Sequence, residues 1–100
     1  MTKIILCCSA GMSTSLFVQK AKTYADEQGI EIEINAISVA ELDTYLTDDV
    51  DVVVLAPQIR FQLDSVSSKT DKPIMVIEMR DYGMMNIQKV LPEILALAKK

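Results

Sequence analysis

Val52-Val53-Val54-Leu55-Ala56 is an unbroken apolar run rich in β-branched residues. A strand of this kind is covered on both faces, which places it inside a parallel sheet. Parallel neighbours need crossover connections, usually helices. The rest of the chain reads in that alternation. Strands are expected at residues 3–7, 31–37, 52–56 and 74–79, with polar Glu33 and Asn35 marking the second as an edge. A helix is expected over about residues 13–28, where Phe17, Ala21, Tyr24 and Ala25 share a face and Gly29 supplies the stop. Ser38-Val39-Ala40-Glu41 reads as a capping box opening a short helix with Leu42, Tyr45 and Leu46. Ile59, Leu63 and Val66 give a third helix, residues 80–85 a loop, and Ile87, Val90, Leu91, Ile94, Leu95 and Ala98 a last helix. Pro92 either kinks that helix or opens its first turn. The pattern βαβαβαβα predicts an α/β fold. It is a small doubly wound, four-stranded parallel sheet with helices on both faces. Residues 1–100 form one domain in this reading.

Composition narrows the function classes. A net charge of −4 argues against a nucleic-acid partner, which needs a basic patch. The two cysteines are adjacent, so they offer no disulfide framework, and a reducing, cytoplasmic setting is expected. Nothing in the sequence approaches the ~18 consecutive apolar residues of a membrane span. Histidine is absent, so any phosphohistidine must come from another protein. Asp48, Asp49 and Asp51 bracket a turn without the spacing of a ligand set, and neither a metal nor a cofactor is expected.

In doubly wound sheets, ligands bind beyond the carboxyl ends of the strands, where strand order reverses. Cys8 sits at such an end, followed by Ser9, Ala10, Gly11, Met12, Ser13, Thr14 and Ser15. Small residues let backbone N–H groups close on a ligand, and the following helix N-terminus favours an anion. The same field favours a thiolate nucleophile at Cys8. Cys7, inside the strand, reads as core. A nucleophile beside an oxyanion cradle suits the carriage of a phosphoryl group on sulfur.

Cys-Ser-Ala-Gly-Met-Ser-Thr-Ser after a short N-terminal strand closely resembles enzyme IIB of the lactose/cellobiose (chitobiose) branch of the bacterial phosphoenolpyruvate-dependent sugar phosphotransferase system. Pro57-Gln58-Ile59 and Tyr82-Gly83 are further points of similarity. The resemblance implies a protein-N(pi)-phosphohistidine–sugar phosphotransferase with a phosphocysteine intermediate. Cys8 would accept the group from phosphohistidine on IIA. It would pass it to a β-disaccharide of the cellobiose, chitobiose or lactose class held by the membrane component IIC, at the inner face of the membrane. Residues 9–15 would be a phosphatase-like phosphate loop. A small cysteine-dependent phosphatase is the alternative. Such enzymes grip phosphate with an arginine six positions after the cysteine, where this chain has Thr14. That difference favours storage and transfer over hydrolysis. A redox module is disfavoured, because adjacent cysteines lack the Cys-x-x-Cys spacing.

Pro57, Gln58 and Tyr82 are expected to support the cradle from outside. Met12 reads equally as a docking contact or as packing over the loop. Met84 and Met85 read as filling beneath the last helix or as an interface near the crevice, and Arg60 as solvated or pointing at the crevice. The contribution of Asp81 is left open by the sequence.

Overall fold

The computed structural model describes residues 1–8 and 12–99, with the backbone alone at residues 12–14. Strands β1 (Thr2–Cys8), β2 (Ile32–Ser38), β3 (Val52–Leu55) and β4 (Ile74–Val76) form one sheet in the order β2-β1-β3-β4. All neighbouring pairs are parallel. The doubly wound, four-stranded architecture expected from the alternation is present. The chain steps from β1 outward to β2, then crosses back past β1 to β3, so strand order reverses between β1 and β3.

Two apolar cores explain the winding. Ile4, Leu6 and Cys8 of β1 point with Val52 and Val54 toward helices α1 (Met12–Gln28) and α5 (Ile87–Ala98). Ile5 and Cys7 point the other way with Val53 and Leu55. They meet Leu42 of α2 (Leu42–Tyr45) and Val66 of α3 (Leu63–Ser67). All four residues of β3 are buried, as a strand covered on both faces requires. Each such Val or Leu contributes about 1.5–3 kcal/mol of transfer free energy.

Helix α1 ends in a paired turn. The Ile30 N–H donates to the Ala25 carbonyl at 2.8 Å, and the Gly29 N–H to Asp26 at 3.3 Å. Gly29 takes φ +68°, the left-handed value this cap demands.

Several boundaries differ from the sequence reading. β4 stops at Val76, because Val76 pairs with Leu55, the last residue of β3, and the ladder has nothing further to follow. The segment expected as a loop at residues 80–85 instead forms a one-turn helix, α4 (Met79–Gly83). The third helix begins as a 3-10 segment at Pro57–Gln62, with Pro57 in its first turn. Ser38 caps a 3-10 turn, Val39–Glu41, by accepting from the Ala40 N–H. On β2, Ile34 and Ile37 are buried against opposite faces, whereas Ala36 is exposed at the open edge. Pro92 lies inside α5, past its first turn, so of the two readings the helix start is excluded.

Candidate functional site

Cys8 closes the inner strand β1 and is 5% exposed. Three residues separate it from the start of α1. Those three, Ser9, Ala10 and Gly11, lie outside the described residues. The side chains of Met12, Ser13 and Thr14 do too, although their backbone is helical. The expected phosphate loop therefore falls largely on that segment. Ser15 is exposed on the first turn of α1. The first N–H groups of any helix lack intrahelical acceptors. Here they stand at the carboxyl end of that inner strand.

The two cysteines part company. Cys7 is fully buried on the α2/α3 face. Its burial, and secondarily the neighbouring Cys8, pushes the thiol up to about 12. A thiolate there would face only apolar side chains. Cys8 lies on the α1/α5 face, and its Sγ–H donates to the Ile37 carbonyl of β2 at 3.4 Å.

The elements around Cys8 come from three strand ends. Beyond β3, the Ala56 N–H donates to the Cys7 carbonyl at 2.9 Å, tying the two central strands at their carboxyl ends. Pro57 follows, buried, and Gln58 is exposed on a 3-10 segment that touches β1 and α4. Beyond β4, α4 buries Tyr82, whose ring stacks on Phe17 of α1 with centroids 5.2 Å apart and planes 20° apart. Phe17, Cys8 and Tyr82 share one apolar cluster. The structure thus brings Cys8, Pro57, Gln58 and Tyr82 to one end of the sheet.

The sequence left two features of this end unresolved. Phe61 is 76% exposed on the 3-10 segment, and Met79 and Met84, at either end of α4, which touches that segment, are 64% and 71% exposed. The available signal was an aromatic falling off the Ile59–Leu63–Val66 face. Met79, expected within a strand, is instead exposed apolar surface, and of the two readings of Met84 its exposure favours interface over filler. Arg60 and Arg80 are exposed on the same two elements. Asp81, the other feature, is 6% exposed and pairs with Lys89 at 2.8 Å. Hydrogen bonding from Lys89 holds its carboxyl below the usual range.

Acidic groups gather at the opposite, amino end of the sheet. Lys3 pairs there with Asp49 at 3.1 Å and Glu33 at 3.7 Å, and its N–H donates to Asp51 at 2.8 Å. Asp49 also accepts from the Thr47 hydroxyl. The Asp49 and Asp51 carboxylates are thus occupied by Lys3.

A family model described as "PTS system, Lactose/Cellobiose specific IIB subunit" matches residues 3–93. Among curated relatives, the PTS galactose-specific EIIB component of Lactococcus lactis subsp. cremoris is 44% identical over 95 residues, covering 88% of each chain. The PTS oligo-beta-mannoside-specific EIIB component of Bacillus subtilis is 37% identical over 100 residues, covering 97% of this chain and 96% of the relative. Among solved structures, the cellobiose-specific IIB component of Borrelia burgdorferi superimposes with a TM-score of 0.80 at 40% identity, over 98% of this chain and 92% of that one. The lactose-specific IIB domain of Streptococcus pneumoniae gives 0.82 over 95% of both chains at 15% identity, a likeness of fold.

Proposed function

Because this chain belongs to the lactose/cellobiose-specific IIB subunit family of the phosphotransferase system, we propose that Cys8 carries its phosphoryl group. The protein is a sugar phosphotransferase component of that system and works with IIA and IIC components. The observation that carries the assignment is the position of Cys8. It ends an inner strand at the reversal of strand order, and a helix N-terminus follows after three intervening residues. Cys7 is unsuited, being buried on the other face with its thiol pushed up to about 12.

In the first step, Cys8 gives its proton to solvent and leaves the Ile37 carbonyl. The sulfur then attacks phosphorus on a IIA phosphohistidine. The S–P bond forms as the P–N bond breaks, and the electron pair stays on the imidazole nitrogen. In the second step, a sugar hydroxyl presented by IIC attacks the same phosphorus. The O–P bond forms, the S–P bond breaks with its electron pair returning to sulfur as thiolate, and the hydroxyl proton passes to solvent or to a base on IIC. The first step needs positioning and charge stabilisation rather than a dedicated base, because its nucleophile is already a thiolate. Residues 9–15 serve as the phosphate cradle, with Pro57, Gln58 and Tyr82 supporting it. The whole chain acts as one phosphocarrier domain. Among the described residues no helix is long and apolar enough to cross a membrane, and the protein meets the inner face of the membrane through IIC. The proposed sugar class is a β-linked disaccharide; two relatives are named for cellobiose and for oligo-beta-mannosides, and a third for galactose, a monosaccharide. Phe61, Met79 and Met84, flanked by Arg60 and Arg80, form the rim on which partners seat.

Intact-protein mass spectrometry tests this. The protein is incubated with phosphoenolpyruvate, the general phosphotransferase proteins and a matching IIA. Wild type and Cys7→Ser should gain one phosphoryl group and Cys8→Ser none. Labelling of Cys8→Ser, or its loss in Cys7→Ser alone, overturns the assignment. Rapid turnover of an aryl phosphate by the isolated protein would favour the phosphatase alternative instead.

A further inference from the structure

Asp81 is a buried charge that the transfer chemistry does not use. A carboxylate loses more by leaving water than it regains unless its partners are well placed. At Asp81 they are. Oδ2 accepts from Lys89 Nζ at 2.8 Å, and Oδ1 from Asn86 Nδ2 at 3.5 Å. The Asp81 carbonyl accepts from the Asn86 N–H at 2.9 Å. These bonds join α4 to the first turn of α5. Between them Met85 takes φ +51°, a left-handed value that non-glycine residues adopt only when their surroundings impose it. The Met85 N–H donates to the Tyr82 carbonyl at 3.1 Å, so the strained turn and the buried tyrosine are one unit. Tyr82 in turn stacks on Phe17, in the second turn of α1. Lys89 is itself half exposed, so the pair is not a by-product of core packing.

We propose that Asp81 is a positioning residue for phosphoryl transfer at Cys8: clamped by Lys89 and Asn86, it fixes α4 so that Tyr82 braces the start of α1, the helix that follows the cysteine. The inference rests on the carrier role of Cys8. The carboxylate suits this task because its two oxygens are held by separate donors, Lys89 and Asn86, whereas an apolar contact would let α4 slide. The α1 amides that face the phosphate must be held in place before the group arrives, since preorganised donors stabilise charge most effectively.

The test compares wild type, Asp81→Asn, Lys89→Met and Asp81→Glu in phosphoryl transfer from phosphorylated IIA. Asp81→Asn and Lys89→Met should each lower kcat about tenfold with little change in KM for IIA. Both should shift the 31P resonance of the phosphocysteine, and Asp81→Glu should recover part of the rate. In the unphosphorylated protein, amide exchange at Phe17 and Val18 should quicken in both variants. Wild-type rates and an unmoved 31P resonance in both variants would overturn the proposal. So would a lowered Tm with unchanged kinetics, which would make the pair structural only. Failure of wild type itself to take the phosphoryl group on Cys8 would overturn the carrier reading separately. The exchange measurement would then still decide whether Asp81 braces α1.

Discussion

The sharpest separation between the two cysteines is one of ionisation, and alkylation reads it directly. In Cys8→Ser the only thiol is Cys7, shut into the α2/α3 core. Burial is the main cause of its raised titration, about 12 with Cys8 present, so most of the upward shift survives loss of that neighbour. At pH 8 an ordinary thiol near 8.5 is roughly a quarter thiolate. One titrating about 12 is thiolate in about one molecule in ten thousand. Because only the thiolate reacts, iodoacetamide should label native Cys7 about two thousand times more slowly than the same residue in the urea-unfolded chain. Steric exclusion slows it further. Opening of the whole fold adds a leak of similar order or smaller if stability is about 5 kcal/mol or more. The rate is followed by intact mass at pH 8. A native rate within tenfold of the unfolded one would refute the burial argument, and with it the exclusion of Cys7 as the acceptor.

Other consequences can be checked together. Phe61→Ser should leave Tm nearly unchanged, because the ring is 76% exposed, yet lower kcat/KM with the partner that seats on this rim. Transfer kinetics at wild-type level with both IIA and IIC would remove Phe61 from the interface. Gly29→Ala meets no atom within 4 Å but keeps φ at +68°, so it should destabilise by about 1 kcal/mol in urea unfolding. The Asp81–Lys89 pair should stabilise only in a middle pH window. The lowered Asp81 titration makes its contribution present above the unfolded value near ~3.9 and lost as pH falls through the folded value. Lys89 titrates above its usual value, chiefly through the Asp81 hydrogen bond, so its share holds below ~10.4 and is lost as pH rises further. Lys89→Met should therefore be less stable than wild type at neutral pH and close to it in acid, as urea titrations across pH will show.

What could be read without a structure was local. Unbroken apolar runs marked β1 and β3, the 3.6-residue spacing of Phe17, Ala21, Tyr24 and Ala25 marked α1, and their alternation specified a parallel, doubly wound sheet. The place of Cys8 at a strand end before a helix follows from the same local signals. Strand alternation already implies that Cys7 and Cys8 face opposite ways. Tertiary structure decided what each of them meets: an apolar core for Cys7, and the Ile37 carbonyl for Cys8. It also decided where β4 ends, because a strand persists only while its partner offers backbone groups, and β3 stops at Leu55. The apolar stretch beyond Val76 carries no sign of that limit. Asp81 lies in a segment without periodicity and reads as an ordinary loop acid. Its burial depends on Lys89, eight residues away on another helix, and on the stacking of Tyr82 against Phe17. Pairing of this kind is a property of packed elements, since both the desolvation of the carboxylate and the partner that offsets it arise only once α4, α5 and α1 meet.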